Sequence, residues 1–134
     1  MLVSSLAHPV LGVPGSVTGT AESYATDMPT GLLDVIVEAA GSFRVCLTRD
    51  PEEYFPLVGE REASERKYLA EQARARRLCA GCPVVTECLE LALRTRLGRY
   101  GVWGGASEWE RVRIITARAA ARRADRAAAL QAVA

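Results

Sequence analysis

This chain of 134 residues is short of several things, and each shortage removes a class of reading. It has no apolar run long enough to cross a bilayer, so a membrane-spanning role is not expected. No Lys or Arg precedes Arg44, so the apolar stretch from Met1 to Thr20 lacks the charged start of a secretory signal. A cytoplasmic location is therefore expected. Aromatic residues make up only 6%, and much of the 49% hydrophobic fraction is alanine, which buries little surface per residue. A core built from so little large apolar material often needs a staple. The single histidine, His8, lies in a Gly, Ser, Thr and Pro-rich tail, where ordering entropy argues against a ligand role. Lys67 is the one lysine among 17 basic residues, an arginine bias that a GC-rich genome would also give.

What the chain does have is four cysteines, Cys46, Cys79, Cys82 and Cys88, spaced C-x32-C-x2-C-x5-C. In a reducing compartment an even set of thiols points to metal binding or redox chemistry rather than to disulfides. A metal centre would also be the staple that the thin core calls for.

Residues 1–30 carry no helical or strand period and read as a disordered tail. Residues 31–118 read as one domain, its folded part running from about Phe43 to Arg118, and residues 107–134 as a basic C-terminal helix. The fold class is all-α, a small bundle of about four helices. Leu32 to Ala40 is a short helix stopped by Gly41. Cys46 opens an extended segment in which Pro51 and Pro56 hold their neighbours out of helix, carrying Tyr54 and Phe55. Residues 57–63 read as a linker. Ser64 to Leu78 is rich in helix formers, with Tyr68, Gln72, Ala75 and Cys79 on one face. Gly81 breaks that helix, and Pro83 suits the first position of the next, which runs to about Arg96.

This arrangement places Cys79 and Cys82 about a tight turn and Cys88 roughly 7 to 8 Å up the following helix, at 1.5 Å rise per residue. The sulfurs around one zinc ion lie roughly 4 Å apart, usually held by two C-x2-C knuckles, whereas here there is one knuckle and two lone cysteines. A cubane cluster with a thiolate at each corner suits the wider spread, and the geometry favours iron and sulfide over zinc. The N-terminal end of the helix carrying Cys88, with Arg76 and Arg77 nearby, would favour negative charge there.

Residues 99–105 read Arg-Tyr-Gly-Val-Trp-Gly-Gly. Gly101, Gly104 and Gly105 permit a sharp turn that presents Trp103 either to the small core or to a partner as an aromatic anchor. Ser107 and Glu110 form a capping box that starts the last helix. Charge is uneven along the chain. Residues 1–58 hold seven acids and two arginines, and residues 111–134 hold six arginines and one acid, Asp125. Arg111, Arg118, Arg122 and Arg126 share a helical stripe with Arg123 beside it, suited either to solvent or to phosphate contact with DNA, without base reading.

Taken together, four elements resemble the WhiB-like transcription regulators of bacteria. They are Cys46 followed by Asp50-Pro51-Glu52 and Tyr54-Phe55-Pro56, the C-x2-C-x5-C of Cys79, Cys82 and Cys88, the Gly-Val-Trp-Gly-Gly turn, and the basic C-terminal helix. The resemblance covers residues 43 to about 126. It implies that the four cysteines ligate one 4Fe-4S cluster inside a small helical fold, and that the cluster responds to oxygen or nitric oxide. It further implies that cluster loss leaves thiols able to form intramolecular disulfides in a form that can bind DNA. It implies binding to the C-terminal, promoter-recognising domain of the principal sigma factor through Tyr54, Phe55 and the Trp103 turn, and action at promoter DNA. This chain departs from the pattern in having Tyr54 where Phe is more usual, and in a longer gap between Cys46 and Cys79, assigned to Val58 to Ala63. Two rival readings stand beside it. One is a thiol-disulfide oxidoreductase using Cys79 and Cys82, which leaves Cys46 and Cys88 unexplained and sets the motif between helices rather than after a strand. The other is a structural zinc module.

Overall fold

The computed structural model describes residues 23–55, 64–95 and 99–133. The first 22 residues with His8, the linker expected at 57–63, and the end of the helix expected to reach Arg96 lie outside the described residues. The α-helices are α1 (Ser23–Thr26), α2 (Thr30–Ala39), α3 (Glu65–Cys79), α4 (Val85–Arg94) and α5 (Glu108–Val133). Three short 3-10 turns, Gly41–Phe43, Val45–Thr48 and Pro51–Tyr54, follow α2. The all-α expectation holds. Among the described residues the only extended pairing is one isolated bridge between Trp103 and Ala106.

The helix boundaries follow from local chemistry. Ser64 caps α3, its hydroxyl accepting from the Lys67 amide at 3.3 Å, a cap typically worth about 1 kcal/mol. Gln72, Ala75 and Cys79 are buried and Tyr68 is half-buried, so the expected face of α3 is the packed one. Gly81 turns the chain at a φ of +82°, which an L side chain rarely adopts. The next helix begins two residues later than expected. Pro83 stays in the turn, and Val84, at φ −123° and ψ 31°, takes the cap position with its carbonyl accepting from the Cys88 amide at 2.9 Å.

The disorder expected over residues 1–30 does not hold for residues 23–30. They form α1 and the approach to α2, with Ala25 only 1% exposed. The cause lies some 65 residues away in sequence. The Arg94 guanidinium donates to the carbonyls of Ala25 at 3.0 Å, Thr26 at 2.8 Å and Met28, closing off the end of α1. The Tyr24 hydroxyl donates to Glu87 at 2.7 Å. Both α1 and α2 pack on α4, with Leu33 and Val37 buried.

The main core is small and consists of Tyr54, Ala75, Leu78, Cys79 and Val102, with Val85 against it. Arg94 also pairs with the buried carboxylate of Glu90 at 2.8 Å, and Glu90 takes a second arginine, Arg118 of α5, at 2.8 Å. One carboxylate on α4 thus joins the N-terminal helices and α5 to the centre. At 26 residues and 1.5 Å rise, α5 is about 39 Å long. Its only buried residues are Glu110 and Arg111 in the first turn, and every residue from Ala120 to Val133 is exposed.

Candidate functional site

All four cysteines line one cavity of about 570 Å³, together with Val37, Tyr54, Val85 and the Gly101–Gly104 stretch. Cys46 comes from the second 3-10 turn, Cys79 from the last residue of α3, Cys82 from the turn beyond it and Cys88 from α4. Cys46 is exposed, Cys79 is buried, and Cys82 and Cys88 are half-buried. Burial pushes the Cys79 thiol up and the Cys88 thiol up to about 12. Backbone amides from the tryptophan turn pull the other way, that of Gly105 at Cys79 and that of Gly104 at Cys88.

The donor set, four thiols lining one space, is of a kind that soft metal ions take. Among the described residues, no three His, Cys, Asp or Glu side chains converge closely enough to clasp a single metal ion. The sulfurs face a shared space instead, with apolar walls and amide hydrogens aimed at two of them. Soft thiolate donors of this number suit iron and sulfide, and hydrogen bonds to ligating sulfur are a known means of tuning such centres.

The glycine-rich turn is built against this cavity. At Gly104, with φ +55°, an added Cβ would stand 2.4 Å from the Leu89 nitrogen, so the turn lies directly on the α4 backbone one residue past Cys88. At Gly101, with φ +74°, it would meet the Tyr54 carbonyl oxygen at 2.9 Å. Gly105 also has a positive φ, +72°, and lies against Cys79 and Val85. Trp103 is half-buried, its indole N–H donating to the Tyr100 carbonyl at 2.8 Å, and its main chain pairs with Ala106 at 3.2 and 3.0 Å.

Tyr54 and Phe55, expected as a pair of contact aromatics, take opposite roles. Tyr54 is buried, with its hydroxyl donating to the Leu78 carbonyl at 3.1 Å and its own carbonyl accepting from the Val102 amide at 2.6 Å. The hydroxyl that Phe would lack finds its acceptor in the core, so of the pair Tyr54 packs inward. Phe55 is 47% exposed at the rim, beside Tyr100 at 63%.

Two supporting residues escaped the sequence reading. Arg74 donates to the carbonyls of Glu53 and Phe55, the latter at 2.7 Å, and pairs with Glu71 at 3.1 Å, fastening the aromatic segment to α3. Gln72 donates to the Gly105 carbonyl at 3.2 Å and accepts from the Ser107 amide at 3.0 Å, fastening the tryptophan turn to the same helix. Gln72 had one legible signal, a polar residue on an apolar face. The expected capping box is consequently half made. Ser107 accepts from the Glu110 amide at 3.2 Å, but its own amide is taken by Gln72, while Glu110 accepts from the Tyr68 hydroxyl. Burial raises the Glu110 carboxyl, Arg113 opposing this, and the Arg113 guanidinium stacks over Tyr68 at 3.5 Å.

The expected arginine stripe divides along α5. Arg111 is 3% exposed and lies inside the fold, away from any surface. Arg118 is half-buried and paired with Glu90. Arg122, Arg123 and Arg126 are exposed. Among the described residues, no helix is long and apolar enough to cross a membrane.

Similarity to known proteins agrees with this arrangement. The family model described as "Transcription factor WhiB" matches residues 43–114, a span holding all four cysteines and the tryptophan turn. Transcriptional regulator WhiB1 of Mycobacterium tuberculosis is 48% identical over 67 residues, covering 50% of this chain and 73% of that protein. Transcriptional regulator WhiB2 of Mycolicibacterium smegmatis is 35% identical over 118 residues, covering 84% of this chain and 83% of that protein. Transcriptional regulator WhiB of Streptomyces coelicolor is 41% identical over 70 residues, 52% of this chain and 68% of that protein. No solved structure matches the chain. With the family match spanning more than half its length and falling on the cysteine-lined core, this chain belongs to the WhiB family of transcription factors.

Proposed function

We propose that the protein is a redox- and nitric-oxide-responsive transcriptional regulator whose four cysteines hold one 4Fe-4S cluster, and that it acts with the principal sigma factor at promoter DNA. The observation that carries this reading is that the remote Cys46 joins Cys79, Cys82 and Cys88 around one cavity whose wall includes the tryptophan turn. A bound cluster would supply electron transfer and reactivity toward oxygen or nitric oxide. Cys46, Cys79, Cys82 and Cys88 would be its ligands, deprotonated on binding, which the raised Cys79 and Cys88 thiols make dependent on the metal's charge.

The coupling to partners runs through the backbone. The Gly104 and Gly105 amides donate toward the sulfurs of Cys88 and Cys79, so a change at those sulfurs is felt directly by the turn that carries Trp103. Phe55 and Trp103, with Tyr100 beside them, form the contact face for the C-terminal domain of the sigma factor. Tyr54, Gly101, Gly104, Gly105, Gln72 and Arg74 hold that face in shape. Arg122, Arg123 and Arg126 are placed to meet DNA phosphates, which position a protein without reading sequence. The cluster-free form, with its thiols paired as disulfides, is a further DNA-binding species.

The test is iron and acid-labile sulfide analysis of protein purified without oxygen, followed by capture of the purified sigma-factor domain. Four irons and four sulfides per chain are expected from the cluster stoichiometry. Bound zinc without sulfide would replace this reading with a structural zinc module. An insulin-reduction assay on the cluster-free protein separates it from an oxidoreductase using Cys79 and Cys82.

A further inference from the structure

One arginine clasps two helices of the fold at once. Arg94, the last residue of α4, pairs through Nε with the buried Glu90 carboxylate at 2.8 Å. Its other two nitrogens reach back to the start of the described chain. Nη2 donates to the carbonyls of Ala25 at 3.0 Å and Thr26 at 2.8 Å, and Nη1 to the Met28 carbonyl and to the Thr30 hydroxyl at 3.4 Å. Thr30 is the first residue of α2, so one planar guanidinium ties the end of α1 to the start of α2.

What Arg94 clasps bears on the cysteine cavity. The helix α2 packs on α4, which carries Cys88, and its Val37 lines the cavity. The chain leaving α2 supplies Arg44, Val45, Cys46 and Leu47 to the same lining. Arg44 is fastened back to the end of α2, its Nε donating to the Gly41 carbonyl at 3.3 Å. The Tyr24 hydroxyl holds α1 at Glu87, the residue before Cys88. One wall of the cavity therefore hangs on a strap whose polar fastenings, at Glu87, Glu90 and Arg94, flank Cys88 along α4. The family match begins at residue 43, so α1 and α2 lie outside it.

We infer that Arg94 is a positioning residue that seats α1 and α2 on α4 as a wall of the cysteine cavity, and so limits how fast small reagents reach the sulfurs. A covered group is reached at a rate set by the local opening that exposes it. Protection of a cluster by this wall rests on the cluster reading above, whereas the seating of α1 and α2 does not.

The test compares Arg94→Gln, Arg94→Lys and Arg66→Gln with the unaltered chain, each purified without oxygen. Arg66 is an exposed residue of α3 and controls for the loss of one charge. Amide hydrogen exchange is measured first. Arg94→Gln is expected to speed exchange of residues 23–40 roughly tenfold or more, the size given by losing a hydrogen bond to a charged group, with α3 little changed. Arg94→Lys keeps the charge but not the fork over several carbonyls, so it should follow Arg94→Gln, while Arg66→Gln should match the unaltered chain. Unchanged exchange at 23–40, equal acceleration in α3, or full rescue by Arg94→Lys overturns the inference. Access is read next, as the rate at which the visible absorbance of the cluster is lost in air. It should rise in Arg94→Gln in step with exchange, and a rate equal to that of the unaltered chain overturns the role of the wall. If the unaltered chain holds no iron and sulfide, the functional reading fails, and access is then read from alkylation of Cys88 by iodoacetamide, with the same two outcomes. Should Arg94→Gln not fold, Tyr24→Phe, which removes the hydrogen bond to Glu87, is expected to give the same pattern at smaller size, and no change in that variant overturns the inference.

Discussion

Between Cys46 and Arg111, polar side chains are spent on fixing the backbone. Arg74 holds the carbonyls of Glu53 and Phe55, Gln72 holds both ends of the Gly105 to Ser107 stretch, and Arg111 holds Ala106. From Ala120 to Val133 the opposite applies, since every residue is exposed and α5 continues on local helix propensity with three exposed arginines. A thin core of few large apolar residues can be made specific by polar clamps around a cysteine-lined cavity, while an alanine-rich helix needs no core and can serve as a charged arm. The two regions meet at Glu90, which lies two residues past Cys88 and grips Arg118.

The sharpest way to break this comparison is to remove a cysteine. Replacing any one of Cys46, Cys79, Cys82 or Cys88 with Ser is expected to abolish cluster retention and weaken the cooperative thermal transition of the core, read by visible absorbance and circular dichroism, with the α5 arm still helical. A persisting, sharp transition without the cluster would show that the core stands without its staple.

Next in size is the turn itself. Gly104→Ala introduces a Cβ at 2.4 Å from the Leu89 backbone at a positive φ and should cost roughly 2 to 4 kcal/mol in thermal unfolding. Gly81→Ala has a positive φ but no heavy atom within 4 Å of the added Cβ, so about 1 kcal/mol is expected from backbone strain alone. Equal losses at the two sites would mean that the turn does not press on α4.

Trp103→Ala should keep the cluster and weaken binding of the sigma-factor domain tenfold or more, about 1.4 kcal/mol at least, by calorimetric titration. Normal capture by this variant would remove Trp103 from the interface. Arg74→Ala should act less directly, loosening the Phe55 segment at a cost of roughly 1 to 3 kcal/mol in stability and weakening the partner without touching cluster content.

The smallest effect on stability belongs to the arm. Replacing Arg122, Arg123 and Arg126 together with Gln should shift stability within about 0.5 kcal/mol. The same change should flatten the salt dependence of DNA binding by about 2.7 in log-log slope, as three phosphate contacts would give. A salt dependence that does not move would leave these arginines as a solvated face.

Much of this was legible in one dimension because the relevant signals are local. The spacing of Cys79, Cys82 and Cys88, the face of α3, the stop at Gly81 and the Ser107 cap are decided by residues within a turn or two of each other, where helix geometry alone sets the outcome. The glycines around Trp103 announce positive φ by their identity. What lay beyond reach required partners from far along the chain. Nothing near residues 23–30 reveals that Arg94 will close α1, and no feature of the segment around Phe55 reveals that Arg74 will hold it.

By itself, then, the sequence determined four thiols in a helical frame, a sharp tryptophan turn and a basic last helix, because each follows from short-range sterics, hydrogen bonding and residue type. Only the tertiary structure decided which members of similar pairs were buried. Tyr54 went inward because the Leu78 carbonyl was there to accept its hydroxyl, and Arg111 was sealed behind the turn while Arg122, Arg123 and Arg126 stayed in water. Burial of a polar group depends on whether a partner waits at the end of its side chain, and only the folded chain brings that partner near.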